Sequence, residues 1–335
     1  MSGTDRAATI YDVAKAAGVS HQTVSRYLRG FEGIRPSTQE RVEQALVSLG
    51  YKPNLAARAL RTSKSMLIGA LAHEMAQLGP ARTIQGASLG ARQAGYLLDI
   101  VILDGFDDKS ISDALDSLGD QNVAGIFAIA QTERVKAVLE HHAITAPMFI
   151  DSRLESTVDG HASPINDIAG QSVAEHLLAL GHRHIAVVTG PPEWVVSRDR
   201  LAGFARVLAA AGLSPAIVAE GDWSPRSGYE AAMSLRLDDG ITAIFAQNDH
   251  MALGVLRALG ERGIRVPEDV SIVGFDDIPE AAFLTPALTT VRVDFEAEGR
   301  FAINWLIAEI EGRPVPDLQP PLPSLIVRDS TAPAR

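Results

Sequence analysis

The chain has 335 residues, no cysteine, 46% hydrophobic and 21% charged residues, and a net charge of −11. That length suits two or three domains, and the missing cysteines exclude disulfides, thiol catalysis and cysteine-based zinc sites. No apolar run reaches the ~18 residues of a membrane span and residues 1–9 lack an apolar export signal, so a cytoplasmic protein without membrane contact is expected.

The charge is unevenly placed. Residues 1–64 carry ten Lys/Arg against five Asp/Glu, a net +5, and the remainder carries −16. A small basic head on a large acidic body is the asymmetry expected when only the head meets phosphate. Within the head, Thr9 and Asp12 have the spacing of a capping box, and Gly18 suits a helix end. Ser20 can cap a second helix two residues later. Two short helices so joined predict a helix-turn-helix with a small core of Ala14, Ala17, Val19, Val24 and Leu28. The second helix turns His21, Gln22 and Arg26 outward and sets Ser20, Thr23 and Ser25 near phosphates. Gln can pair with an adenine edge, and Arg with O6 and N7 of guanine. A third helix is expected from a capping box at Ser37–Glu40 to Gly50, with Val42, Ala45, Leu46 and Leu49 as its apolar stripe. Residues 54–62 can form a helix too short to persist in isolation.

The body alternates apolar strand-like runs with amphipathic helical stretches. Strands are expected at 67–71, 98–103, 125–129 and 148–150, then at 185–189, 217–219, 243–246 and 270–274. Short apolar runs between helices indicate parallel sheets covered on both faces. Two such series predict two doubly wound subdomains with a ligand cleft at the carboxyl ends of their strands. His182 and His184 alternate without a carboxylate cluster and read as a surface loop rather than a metal site. No cofactor motif, metal site or catalytic constellation is found. Asp151, Arg200, Trp223, Asn248, Asp249, Asp276 and Asp277 lie at strand ends or loops. Singly each is an ordinary cap, surface or core residue; around one cleft they have the chemistry of a sugar site, in which polar groups bond hydroxyls and Trp covers the apolar ring face.

The head motifs Thr9-Ile10-Tyr11-Asp12-Val13-Ala14, Ala17-Gly18-Val19-Ser20, Thr23-Val24-Ser25-Arg26 and Gly50-Tyr51-x-Pro53-Asn54-x-x-Ala57-x-x-Leu60 resemble the DNA-binding head of the LacI-type (lactose repressor) family. The body motifs Arg200-x-x-Gly203-Phe204, Asn248-Asp249-x-Met251-Ala252, Val273-Gly274-Phe275-Asp276-Asp277 and Asp294-Phe295 extend the resemblance over nearly the whole chain.

The resemblance implies a small all-α helix-turn-helix head on a periplasmic-binding-protein-like α/β body. It places the head with its hinge helix (54–62) at 1–64, the N-subdomain at 66–163 and 293–324, and the C-subdomain at 164–290 and 325–335. It implies DNA contacts from Tyr11, Ser20, His21, Gln22, Thr23, Ser25, Arg26, Asn54, Ala57 and Leu60, with Leu60 wedging a minor-groove base step. It implies effector contacts from Asp151, Arg200, Trp223, Asn248, Asp276 and Phe295. Val293 departs from the pattern, standing where the lactose-repressor type has a polar Gln, and residues 73–80, which should line the N-subdomain side, differ as well. The C-terminal residues 329–335 show no leucine heptads, so a homodimer is expected. The function implied is a repressor on double-stranded, pseudo-palindromic operator DNA, released by a sugar inducer such as a galactoside. A corepressor-dependent regulator responding to a purine is the alternative. A solute-binding protein or a sugar-processing enzyme using Asp151, Asp249 and Asp276 stand further off.

Overall fold

The computed structural model describes residues 8–28, 31, 33–51, 65–103, 107–129, 132–142, 144–151, 164–236, 240–315 and 321–335. The expected hinge helix, with Asn54, Ala57 and Leu60, lies outside the described residues. The chain divides into two compact units, Met1–Met66 and Leu67–Arg335.

The first unit holds α1 (Ile10–Ala17), α2 (His21–Tyr27) and α3 (Pro36–Ser48). The Thr9 amide donates to Asp12 Oδ2 at 2.8 Å, and the Asp12 amide donates back to Thr9 Oγ1 at 3.3 Å. This reciprocal cap satisfies two amides that the helix itself cannot. Gly18 ends α1 at φ +64°, a conformation that costs little without a Cβ. Ser20 then caps α2 by accepting from the Thr23 amide. Val13, Ala14, Ala17, Val24, Val42 and Ala45 form the core, with Ile10, Val19, Tyr27, Leu46 and Tyr51 packed around it. Leu28 was expected in this core but is 38% exposed and lies outside it; Val42 and Ala45 of α3 complete the core instead. The capping box expected at Ser37 is absent as well. Arg35 holds the cap position and Pro36 enters at the first turn, where its missing amide hydrogen costs nothing.

The second unit contains two four-stranded parallel sheets. In chain order the first lobe brings β1 (Leu67–Ala72), α4 (Leu78–Gln93), β2 (Leu97–Ile102), α5 (Asp108–Asp120), β3 (Gly125–Ile129), α6 (Glu133–His141) and β4 (Met148–Asp151). The second brings α7 (Pro164–Ala179), β5 (Ile185–Thr189), α8 (Val195–Ala210), β6 (Ile217–Glu220), α9 (Pro225–Ser234), β7 (Ala243–Ala246), α10 (Asp249–Glu261) and β8 (Ser271–Val273). The sheet orders are β2-β1-β3-β4 and β6-β5-β7-β8, the same winding twice. Central strands such as β3, β5 and β7 are buried along their whole length, as a sheet covered on both faces requires.

Two short strands absent from the sequence expectation join the lobes. β9 (Thr290–Arg292) and β10 (Ser324–Ile326) pair antiparallel. After β9 the chain forms α11 (Phe295–Glu311), which packs on α4 and against β3 and β4. After β10 it returns to the second lobe, where the Ile272 amide donates to the Ser330 carbonyl at 2.8 Å. Three residues per strand are too few to leave a periodic signal. His182 also differs from expectation: it is buried, bonded to Thr242 Oγ1 at 2.9 Å and to the Ala332 carbonyl at 3.0 Å, because the C-terminal segment covers it. His184 stays exposed, and no cluster able to hold a metal occurs among the described residues.

The principal helix pairs of the lobes touch backbone to backbone. A Cβ on Gly299 of α11 would lie 1.9 Å from the Thr83 carbonyl of α4, and one on Gly86 would lie 2.1 Å from the Glu296 carbonyl. Gly119 of α5, in contrast, faces open space. Gly299→Ala should therefore lower stability by about 1–3 kcal/mol as the helices are forced apart. Gly119→Ala should raise it by up to about 1 kcal/mol through helix propensity alone. Thermal or urea unfolding of the two variants tests this pair; equal shifts of one sign would contradict it.

Candidate ligand cleft and nucleic-acid interface

A partly open cavity lies between the lobes. The second lobe contributes Trp194, Val196, Arg200, Trp223, Asn248 and Asp276; the first contributes Gln77, Leu78, Gly79, Pro80 and, from α11, Phe295. Five of the six expected effector residues thus meet in one place. Asp151 ends β4 opposite Ile129 and is not among the described lining residues.

Arg200 is the best-fixed group of the site. Its Nε donates to Asn166 Oδ1 at 2.9 Å and its Nη1 to the Gln247 carbonyl at 2.5 Å. Its guanidinium sits 3.5 Å from the Phe275 ring centroid, a cation–π contact that lowers the cost of burying the charge. Nη2 faces Asp276 Oδ1 at 3.9 Å, beyond hydrogen-bond range. A donor and an acceptor so spaced can grip neighbouring hydroxyls of one ligand ring. Gln247 is fixed in turn: its Oε1 accepts from the Gly190 amide and the Ser197 hydroxyl, and its Nε2 donates to the Ser197 carbonyl.

Trp223 supplies a flat wall. It adopts φ +71°, and its indole lies so close to Gly190 that a Cβ there would be 2.0 Å from the ring. Its Nε1 is buried and has no hydrogen-bond partner, leaving a donor for a ligand acceptor. Asn248 is also held by protein partners. Its Oδ1 caps α10 through the Met251 amide at 2.8 Å and its Nδ2 holds the Trp223 carbonyl at 3.0 Å. It borders the cavity and positions the tryptophan.

Trp194, Val196, Asn166 and Gln247 were not identified from sequence. No spacing rule distinguishes a cleft-lining Trp or Val from a core one, and the partners of Arg200 come from other elements.

The carboxylates considered for acid–base chemistry do not form a pair in the cavity. Asp249 is fully buried; its Oδ1 accepts from Thr290 Oγ1 at 2.6 Å and its Oδ2 from the Ile278 amide at 2.9 Å. Burial, aided by Asp276, pushes its carboxyl up to about 8 despite those two donors. It ties the loop after β8 to β9.

On the head, Tyr11, Ser20, His21, Gln22 and Arg26 are exposed and Thr23 is partly so. The Tyr11 and His21 rings stand 5.1 Å apart, so α1 and α2 contribute to a common polar surface. Arg26 reaches over the Phe31 ring at 5.5 Å. Ser25 is the exception. It is 6% exposed, because its position next to Val24 falls within the arc that α2 buries, so it is not placed to meet phosphate.

Residues 9–54 match the family model for bacterial regulatory proteins of the lacI family, and residues 174–331 match a periplasmic binding protein-like domain. The chain is 34% identical over 327 residues to the lactose operon repressor of Escherichia coli K12, covering 96% of this chain and 90% of that one. It is 32% identical over 312 residues to the repressor PurR of Haemophilus influenzae, covering 90% and 91%. The lac repressor dimer bound to operator and the anti-inducer ONPF superimposes with a TM-score of 0.76 at 32% identity, covering 98% and 100%. A complex of the transcriptional regulator CelR with cellobiose gives 0.67 at 28% identity, covering 96% and 99%.

Asp199, next to Arg200 on α8, is buried, and its Oδ2 has no hydrogen-bond partner. Burial pushes its carboxyl up to about 6, with Arg198 opposing. The folded chain therefore holds this proton more readily than the unfolded chain. The stability it contributes is fully present below about pH 4 and is lost as pH rises through about 6. Asp199→Asn should be more stable than the parent at pH 7.5, by up to about 3 kcal/mol, with the gap closing toward pH 4.5. Unfolding curves across that range test it, and a gap independent of pH would count against it.

Proposed function

The chain belongs to the lacI family of bacterial regulatory proteins, and from that premise we propose that this DNA-binding transcriptional repressor controls carbohydrate-utilisation genes and leaves a pseudo-palindromic operator when a sugar binds. The observation that carries the effector class is the fixed Arg200 guanidinium 3.9 Å from Asp276, beside the flat face of Trp223. A pyranose offers adjacent hydroxyls to such a pair and an apolar CH face to such a ring. The starts of α4 and α8 also border the cavity, at Gln77 and Trp194, and neither has a side-chain cap. Amides left over at helix starts suit oxygen acceptors. The site holds no acid–base pair among its described lining residues, which favours binding over turnover.

In the head, His21, Gln22 and Arg26 read base edges while Ser20 and Thr23 approach phosphates. Two copies act together, one on each half-site. The β2 edge strand supports this, because Leu97, Ile100 and Ile102 are all exposed, and a bare apolar edge needs covering. Sugar and operator favour different arrangements of the same dimer, so each weakens the binding of the other by an equal factor. A purine corepressor is the second reading, favoured by the PurR relatives and by the aromatic walls of Trp194, Trp223 and Phe295.

Thermal unfolding against free sugars, sugar phosphates and purines separates these readings. A ligand at about 100 times its dissociation constant adds about 2.7 kcal/mol of stability. Stabilisation by a sugar, with operator affinity lowered in its presence, is the expected result; stabilisation by a purine alone, with operator affinity raised, would replace it. Gln22→Ala or Arg26→Ala should cost roughly 1–3 kcal/mol of specific operator binding and leave effector binding unchanged. Operator titrations at fixed salt measure this, and wild-type affinity in both variants would remove the base-reading roles. Sedimentation at micromolar concentration should give a dimer, and a tetramer would contradict this.

A further inference from the structure

Trp194 occupies a place that the effector reading alone does not explain. It is 4% exposed and borders the cavity from the start of α8. On one side its ring meets Trp223 edge-on, at 5.5 Å and 67°. On the other it lies 5.7 Å from the ring of His73, which follows β1 in the first lobe. Its backbone pairs antiparallel with Thr132, also of the first lobe, and one turn on Arg198 bonds Glu133 at 2.7 Å. His73 is 1% exposed and does not border the cavity. Trp194 is thus a partition, with the ligand space on one side and the interior of the first lobe on the other.

The cavity has one hydroxyl-gripping pair, Arg200 and Asp276, beside the Trp223 ring. Leu78, Gly79, Pro80 and Phe295 close the facing side without a charge. This equipment serves one ring. A second ring extending past Trp223 toward His73 would meet the Trp194 indole and could advance only by separating it from His73 and straining the Thr132 pairing.

We propose that Trp194 is the specificity-determining residue that limits the effector to a single sugar ring and excludes disaccharides. This rests on the sugar reading above and names the class of sugar. Removing the indole would extend the cavity to the His73 imidazole, which burial keeps neutral and able to take part in hydrogen bonds with hydroxyls.

The test uses the full chain and four probes: methyl β-D-glucopyranoside, methyl β-D-galactopyranoside, cellobiose and lactose, each titrated by calorimetry. For wild type, at least one methyl glycoside binds at least tenfold more tightly than the disaccharide whose non-reducing ring it matches. Trp194→Ala raises disaccharide affinity at least tenfold and narrows that ratio, while Trp194→Phe keeps the exclusion. Disaccharides binding wild type as tightly as the methyl glycosides would overturn the proposal and leave the sugar reading standing, as would a ratio unmoved in Trp194→Ala. Binding of none of the four would overturn the sugar reading itself and the proposal with it. If Trp194→Ala does not fold, the wild-type ratio decides.

Discussion

The ligand site depends on the contact between α7 and α8. A Cβ on Gly203 would lie 2.1 Å from the Asp167 carbonyl, and one on Gly170 would lie 2.2 Å from the Arg200 carbonyl. Only at that separation can Asn166 of α7 reach Nε of Arg200 on α8. With Gln247 holding Nη1 and Phe275 beneath the plane, the guanidinium is held at three points. A buried cation is tolerated when its donors are satisfied and its charge is faced by π density or carboxylate. The rigidity that results is useful for recognition, since a group already ordered loses little entropy when ligand arrives.

The two walls of the cleft differ in kind. The second lobe presents Arg200, Asp276, Trp223 and Trp194; the first presents Leu78, Pro80 and Phe295, with Gln77 as its polar member. One lobe thus offers the polar groups and the other an apolar cover. Covering removes water from the Arg200 and Asp276 contacts and strengthens them. Binding energy thus becomes sensitive to lobe arrangement, the differential affinity that any ligand-driven switch needs.

The loop bearing Asp276 is tied to the strands that join the lobes. Asp277 accepts from Arg292 at 2.7 Å and from Arg328 at 2.6 Å, residues at the end of β9 and just after β10. The Asp276 amide donates to the Val291 carbonyl at 2.8 Å, and Asp249 clamps Thr290 and Ile278. Asp276 and Asp277 both have positive φ, at 105° and 51°. Non-glycine residues keep such angles only when surrounding contacts over-determine them. The position of Asp276 is therefore coupled directly to β9, and through Asp277 to Arg292 and Arg328 on the segments that join the lobes.

Local order was readable along the chain because its causes are local. The Thr9–Asp12 box, Gly18 and the Ser20 cap act within four residues, and eight strands announced themselves as apolar runs between helices. The motifs around Arg200, Trp223 and Asp276 also showed which residues to collect. What sequence could not show depends on partners distant in the chain. Ser25 faces inward, Leu28 lies outside the core that Val42 and Ala45 complete, and His182 is covered by residues some 150 positions later. β9 and β10 pair across 31 intervening residues and a helix, and β9 also takes a bond from the Asp276 amide. Trp194 reads in sequence as one more buried aromatic; that it closes the cleft against His73 and Thr132 follows from two lobes meeting. Local sequence carries the caps, the eight strands of the two parallel sheets and the chemistry available. Tertiary packing alone decided which polar groups are held by neighbours and which face the ligand, because burial and hydrogen-bond partnership are properties of assembled surfaces.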